Sequence, residues 1–566
     1  MILVLVVTIL LVFSGIFANE STLDVKIEQG ILRGKYQESY KGRQFSAFTG
    51  IPYAEPPVGD LRFKAAVPAK PWDGILDATK LHSVCPQINP VTENFEIIGN
   101  EDCLYLNVYT PQVPSSENQL LPVMFYIHGG AYVVGSARQD WYEPDKLLDK
   151  DIVLVIPNYR LGPLGFLSTG DEVVPGNNGL KDVVLALNWT KNNIKAFGGN
   201  PNKITTVGHS AGSAISQFLM LSPLSKDLIS GTIAQSASAL SGWALGSNEK
   251  QIKNAKRLAE FLNCPTSPND RMVDCLRKVE ANEIVKQEPK YLEWALDPMI
   301  HFKPVIEPDL NGAFITEHPL DIVKSGKAAN VPFLIGITTE DGALKSAGYY
   351  HNPQWIDDID RDFNRVIQIS LQYGNNNAKK EKISKELRQF YFGSKKIDNT
   401  TKSELTNLYT DIIFLMPADV SVRLHLKYNT QPVYYYLFGY RGSETHSKFY
   451  GDPSHNYGVC HSDELLYLFK LKQSFPNYQP NKTDKKMEDV LITLWANFVT
   501  NGNPTPETNS IIPTVWESAK LEKDLNYLFI KSPNDMQMKK GLHTERARFL
   551  EKLDMYSSTP TMRNEL

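Results

Sequence analysis

The chain is short of net charge, of apolar runs and of cysteine, and each shortage closes off a class of protein. Lys and Arg number 59 against 63 Asp and Glu, for a formal net charge of −4. A phosphate-backbone partner calls for a basic face, so this balance argues against nucleic-acid binding. After the N-terminal dozen residues no stretch is long and apolar enough to span a bilayer, and the polar C-terminus argues against a lipid-anchor tail. Composition breaks, internal repeats and low-complexity linkers are missing as well. At about 150 residues per domain the length of 566 would suggest about four domains. Without such breaks it reads instead as one large unit with insertions.

What is present begins at the N-terminus. Residues 2–13 are uncharged and mostly apolar, and small residues follow at Ser14, Gly15 and Ala18. This is the pattern of a secretory signal peptide, 1–18, although its basic leader is reduced to the α-amino group. A signal anchor is the alternative, set against a run shorter than a membrane span. The last four residues, 563–566 (Arg-Asn-Glu-Leu), resemble the Lys-Asp-Glu-Leu retrieval signal. The main domain is therefore taken as 19–562. Its location is the secretory pathway: the endoplasmic reticulum lumen if that tail is read, otherwise outside the cell. In such a compartment five cysteines give two bridges and one leftover. Local pairing of Cys85 with Cys103 and of Cys264 with Cys275 leaves Cys460 free, and each closed loop contributes about 3 kcal/mol. Sequons stand at Asn19, Asn188, Asn399 and Asn481. Asn399 and Asn481, in polar sequence, are the expected glycosylation acceptors; Asn188, in an apolar helical pattern, is expected to be partly buried.

The chemistry concentrates in Gly208-His209-Ser210-Ala211-Gly212. These residues follow the β-rich run Lys203–Val207 and open a helix-compatible stretch, Ala211 to Leu221. A serine between two glycines at a strand-to-helix turn is the nucleophile elbow of an α/β-hydrolase. The turn lifts the Ser210 hydroxyl clear and sets the Ala211 N–H at a helix N-terminus, where it can meet an oxyanion. Upstream, Pro122–Ile127 reads as a buried strand running into His128-Gly129-Gly130-Ala131. Gly129 and Gly130 are the further oxyanion donors, against the alternative of an ordinary strand-ending turn, and His128 is expected to brace the loop. The base must follow the acid in chain order. His461, in a turn-like stretch before Leu465–Phe469, is the first choice, with His455 the runner-up. The acid should follow the strand Val331–Gly336, where Glu340 and Asp341 are both open. Such a reaction needs no metal and no organic cofactor.

With these pieces in order the chain resembles the type-B carboxylesterases of the carboxylesterase/cholinesterase family, from about residue 23 to 550. The motifs that carry the resemblance include Gly50-Ile-Pro-Tyr-Ala-Glu-Pro-Pro57, Glu101-Asp-Cys-Leu-Tyr-Leu-Asn107, Asn158-Tyr-Arg-Leu-Gly162 and Asn178-Gly-Leu-Lys-Asp182. The resemblance implies an α/β-hydrolase fold, a large central, mostly parallel β-sheet flanked by helices. It implies bridges Cys85–Cys103 and Cys264–Cys275, and structural ion pairs Arg62–Glu101 and Arg160–Asp182. It maps the nucleophile to Ser210, the base to His461, and the oxyanion donors to Gly129, Gly130 and Ala211. The family's acid directly precedes a glycine, which selects Asp341, where most members carry glutamate. Trp243 matches a position lining the acyl pocket, with core packing as the alternative.

Departures narrow the substrate. Cholinesterases carry a tryptophan in the first disulfide loop to bind a quaternary ammonium, and a glutamate before the nucleophile. Here Phe95 is the loop's only aromatic and His209 stands before Ser210, so a choline-ester specialist is not expected. Juvenile-hormone esterases usually place a glutamine there. The run Gly458 to Phe469 looks most like insect general carboxylesterases. The expectation is a broad-specificity ester hydrolase acting on small-molecule carboxylic esters, trapped by organophosphates and carbamates. The alternatives are a catalytically inactive neuroligin-like binding protein and an interfacial lipase. Trp243, Met299, Ile300 and Phe302 are expected around the pocket. The leftover Cys460 is either a reactive thiol beside the base or an inert buried residue.

Overall fold

The computed structural model describes residues 23–90, 95–112, 119–373 and 377–553. The expected signal peptide, the Asn19 sequon and the four-residue tail lie outside the described residues. A 13-stranded sheet forms the frame. Its middle is parallel, in the order Val153–Pro157, Leu121–Ile127, Gly199–His209, Gly231–Gln235, Phe333–Thr338, Val433–Phe438 and Asn526–Ser532. Antiparallel strands extend both edges: Gln44–Pro52 and Tyr105–Thr110 on one side, Asp535–Lys540 on the other.

Alternation along the central strands explains why they are apolar throughout. Successive side chains of a strand point to opposite faces, so a strand covered on both sides has no polar face. In Leu121–Ile127, Val123, Phe125 and Ile127 enter one core cluster, and Met124 and Tyr126 enter another. Val433–Phe438 divides in the same way, with Val433, Tyr435 and Leu437 on one side and Tyr434, Tyr436 and Phe438 on the other. Helices supply both covers, among them Asn178–Asn193 and Ala211–Leu221 in the first cluster and Lys482–Asn501 in the second. Each fully buried Val, Leu, Ile or Phe contributes about 1.5–3 kcal/mol.

The cysteines form Cys85–Cys103 and Cys264–Cys275, and Cys460 is free and buried. Both expected ion pairs are present: Arg62 Nε lies 2.7 Å from Glu101 Oε1, and Arg160 Nε lies 2.7 Å from Asp182 Oδ2. Asp182 is fully buried, and removing one partner of such a pair typically costs about 3–5 kcal/mol. Asn399 and Asn481 are exposed. Asn481 caps Lys482–Asn501 through its Oδ1, which accepts from Thr483 N and Asp484 N. Asn188 is half-buried and donates its amide to Val184 O at 3.0 Å. Among the described residues no helix is long and apolar enough to cross a membrane.

Candidate active site

Four adjacent parallel strands end at the same edge of the sheet, and each delivers part of the site. Leu121–Ile127 runs into Gly129 and Gly130, Gly199–His209 into Ser210, Gly231–Gln235 into Ser236, and Phe333–Thr338 into Asp341. The carboxyl end of a parallel sheet is where α/β folds place ligands, because loops there can converge.

The elbow is as tight as the two glycines suggest. A Cβ on Gly208 would lie 2.0 Å from the carbonyl oxygen of Gly212, and one on Gly212 would lie 2.0 Å from that of Ile127. Between them Ser210 holds φ 57° and ψ −122°, a conformation rare for a residue with a side chain. Strain of this kind costs about 1–3 kcal/mol and persists only where the surroundings enforce it. Here Ser210 N donates to Gln235 O at 2.8 Å, and the helix Ala211–Leu221 starts at the next residue.

Asp341 and His461 are in contact. His461 Nδ1 lies 2.8 Å from Asp341 Oδ1, with the carboxylate fully buried and the imidazole 2% exposed. The other carboxylate oxygen accepts from Ser236 Oγ and from Thr338 N, each at 2.9 Å. Sequence reasoning missed Ser236, although its place just after a central strand is a usable signal. Glu340 does something else. Its Oε2 accepts from Val459 N at 2.7 Å, while its own N–H donates to Val459 O at 3.0 Å. Burial pushes its carboxyl up from the usual range. Asp463 holds the far side of the same loop through Cys460 N at 2.8 Å. Glu340 thus secures the histidine loop by its backbone, and Asp341 orients the ring. His455, the runner-up base, lies on the exposed part of the loop with its ring edge against Tyr457.

The glycine loop is braced by His128. That ring stacks on Tyr159 at 4.4 Å, and its Nδ1 lies 2.9 Å from Gly129 O. Burial lowers the His128 pKa to about 4, so the brace is a neutral imidazole. Among the described residues no main-chain carbonyl takes the N–H of Gly129, Gly130 or Ala211. His209, buried beside the elbow, lies 4.5 Å ring to ring from His461. Burial, together with His461 and His446, pushes its pKa well below the usual imidazole range, so it adds no charge beside Ser210. Cys460 is fully buried, and burial raises its thiol well above the usual range with nearby carboxylates adding to the effect. This is the environment of the inert alternative.

Two cavities meet at Ser210. The outer one, about 390 Å³, is lined by Gly129, Gly130, Ser210, His209 and His461 among others. The inner one, about 60 Å³, runs from Ser210 past Trp243, Met299, Ile300 and Phe414. Phe302 does not line either; it is buried edge-on against Tyr291. Phe414 also packs on the His461 ring at 4.8 Å. Among the described residues no group of three or more His, Cys, Asp or Glu is disposed to hold a metal ion.

Known proteins are similar to this chain in sequence over nearly its whole length. The family model described as the carboxylesterase family matches residues 21–550. Juvenile hormone esterase of Tribolium castaneum is 35% identical over 562 residues, covering 95% of this chain and 94% of its own length. A carboxylic ester hydrolase of Bombus ignitus is 36% identical over 544 residues, 95% of each chain. Esterase FE4 of Myzus persicae is 37% identical over 513 residues, 89% of each chain.

Proposed function

Because the chain belongs to the carboxylesterase family and is a carboxylic-ester hydrolase, we propose that it works through Ser210, His461 and Asp341 and an acyl-enzyme. The observation that carries this reading is the buried Asp341–His461 contact at 2.8 Å, opening on the same cavity as Ser210. With Nδ1 committed to Asp341, Nε2 is the nitrogen left to take the Ser210 proton. Ser210 Oγ then attacks the ester carbonyl, and the oxyanion rests on the Gly129, Gly130 and Ala211 N–H groups, each contributing about 3 kcal/mol. His461 returns the proton to the leaving alcohol. Water enters by the same route to release the acid.

The substrates we propose are small carboxylic esters of varied alcohol, since the outer cavity of about 390 Å³ is far larger than the inner one. Trp243 lines the acyl side. Organophosphates and carbamates are expected to trap Ser210. We place the reaction in residues 19–562 and in the secretory pathway, a reading that two disulfides and exposed sequons at Asn399 and Asn481 support. The test is intact-mass spectrometry after exposure to a fluorophosphonate ester. One phosphonyl adduct on the native protein and none on Ser210→Ala is the expected result. No adduct on folded native protein would overturn the proposed triad.

A further inference from the structure

The lining of the outer cavity is of two kinds. Leu296, Met299, Leu344 and Trp355 are apolar, whereas His446, Gln473 and Ser474 bring polar groups that the proposed triad does not use. His446 is held in a fixed pose. Its Nδ1 lies 3.2 Å from Asp463 Oδ1, which also accepts from His446 N at 2.7 Å. Asp463 Oδ2 accepts from Thr445 Oγ1 and Cys460 N, each at 2.8 Å. Four donors thus fill the lone pairs of this carboxylate, and Phe475 stands edge-on to the imidazole at 4.8 Å. An imidazole that gives its Nδ1–H to a carboxylate presents Nε2 as its free nitrogen.

Nε2 of His446 meets no hydrogen-bond partner among the described residues, and it is not sealed. The unpaired imidazole nitrogens without accessible surface are those of His128, His209 and His543. His446 keeps 6% of its surface and lines the cavity that reaches Ser210. A polar atom so placed is left for water or a ligand to satisfy. Several other polar groups of the lining are engaged: Lys345 and the Tyr349 hydroxyl with Asp297, and Tyr450 with Ser462 at 3.3 Å. Trp141, Tyr142, Gln473 and Ser474 add donors and acceptors alike.

We infer that the outer cavity selects esters whose alcohol part carries a free hydroxyl, received by His446 Nε2. This rests on the proposed role of Ser210, which lines the same cavity. A hydroxyl suits the ring in both its forms, donating to the neutral nitrogen and accepting from the cation. An ether oxygen suits the cation alone, and an alkyl chain suits neither. The mixed donors and acceptors nearby are met by a hydroxyl for the same reason, and the apolar lining receives the carbon chain. With an inner cavity of about 60 Å³ on the acyl side, the class is small-acid monoesters of diols and polyols. His446 is in this reading a specificity-determining residue and takes no part in the proton transfers.

The experiment moves one hydroxyl along the alcohol. The 2-hydroxyethyl, 4-hydroxybutyl, 6-hydroxyhexyl and 8-hydroxyoctyl esters of butanoic acid are each compared with the alkyl ester of equal length: propyl, pentyl, heptyl or nonyl butanoate. The readout is kcat/KM for acid release, taken as the hydroxyalkyl-to-alkyl ratio. In the native enzyme the ratio at one length should stand about tenfold above the lowest, the yield of one hydrogen bond. His446→Phe removes both nitrogens and keeps a ring. His446→Asn keeps a donor for Asp463 but ends short of Nε2. Both should bring the ratios to within about threefold of one another. A role only in holding Asp463 and the His461 loop would lower hydroxyalkyl and alkyl esters together and leave the peak in place. Because each ratio is taken within one variant, a partly folded preparation does not alter it. Native ratios without a peak overturn the inference and leave the esterase reading intact, as does a peak that survives in either variant. Native protein that is phosphonylated but inert to all these esters also overturns the inference alone. Native protein that neither hydrolyses them nor takes the phosphonyl group overturns both.

Discussion

Lengthening Asp341 to glutamate separates geometry from family resemblance. Most members of the family carry glutamate at this place, so resemblance alone would forecast an improved or unchanged enzyme. The structure forecasts the opposite. The Asp341 carboxylate is fully buried and makes three hydrogen bonds, to His461 Nδ1 at 2.8 Å and to Ser236 Oγ and Thr338 N at 2.9 Å. One more methylene pushes the carboxylate outward by about 1.5 Å, which no set of bonds at these lengths absorbs. The backbone cannot retreat to compensate. Gly342 N is tied to Thr410 Oγ1 at 2.8 Å, a Cβ on Gly342 would lie 2.2 Å from Thr406 O, and Glu340 on the other side is tied to Val459. Overpacking of this kind costs about 1–3 kcal/mol of stability, and displacing a reacting group by about 1 Å costs about a hundredfold in rate. Asp341→Glu should therefore lose about two orders of magnitude in kcat on 4-nitrophenyl hexanoate, with a lowered melting temperature. Its rate of phosphonylation by a fluorophosphonate should fall in parallel, since in the proposed mechanism both reactions need His461 to take the Ser210 proton. A variant with native kcat and native melting temperature would refute the claim that this carboxylate is held too tightly to move.

Ser236→Ala removes one of the two bonds to Asp341 Oδ2 and leaves the other. A hydrogen bond to a charged group contributes about 1.5–3 kcal/mol, so denaturant unfolding should show a loss of that order, with a smaller fall in kcat than Asp341→Glu; unchanged stability would exclude the bond as a support. Glu288 gives a pH-dependent signature away from the site, since burial holds its carboxyl up at about 8 in place of 4.5. The folded protein keeps a proton that the unfolded chain gives up, so the stability it contributes is full below about pH 4.5 and is lost as pH rises towards 8. Glu288→Gln should match the native protein in melting temperature near pH 4 and exceed it increasingly up to pH 8. A difference that does not vary with pH would count against the raised carboxyl.

How far the site was legible follows from how far each part depends on its own neighbours in the chain. The elbow announces itself within five residues, although Ile127 and Gln235 help to hold it, and the helix after it runs from Ala211 to Leu221 as the pattern indicates. The strand Pro122–Ile127 was legible for a similar reason: a strand buried on both faces has to be apolar throughout. Ser236 was not, because nothing local distinguishes a serine that meets its partner only at the end of the neighbouring strand. The hardest choice lay between Glu340 and Asp341, two carboxylates with the same chemistry at the end of one strand. Adjacent residues of extended chain point to opposite sides, and here one side faces the imidazole and the other faces the main chain of the loop that carries it. Composition cannot say which is which. Pairing can, and Glu340 bridges to Cys460 as a short continuation of the strand. That bridge puts the Glu340 side chain on Val459 and leaves Asp341, one residue on, facing the ring of His461. The same bridge decides between the two histidines: His461 directly follows the bridged residue, whereas His455 lies beyond the loop's exposed turn. The proposed acid and base are thus brought together by one backbone register that neither residue's own neighbourhood encodes.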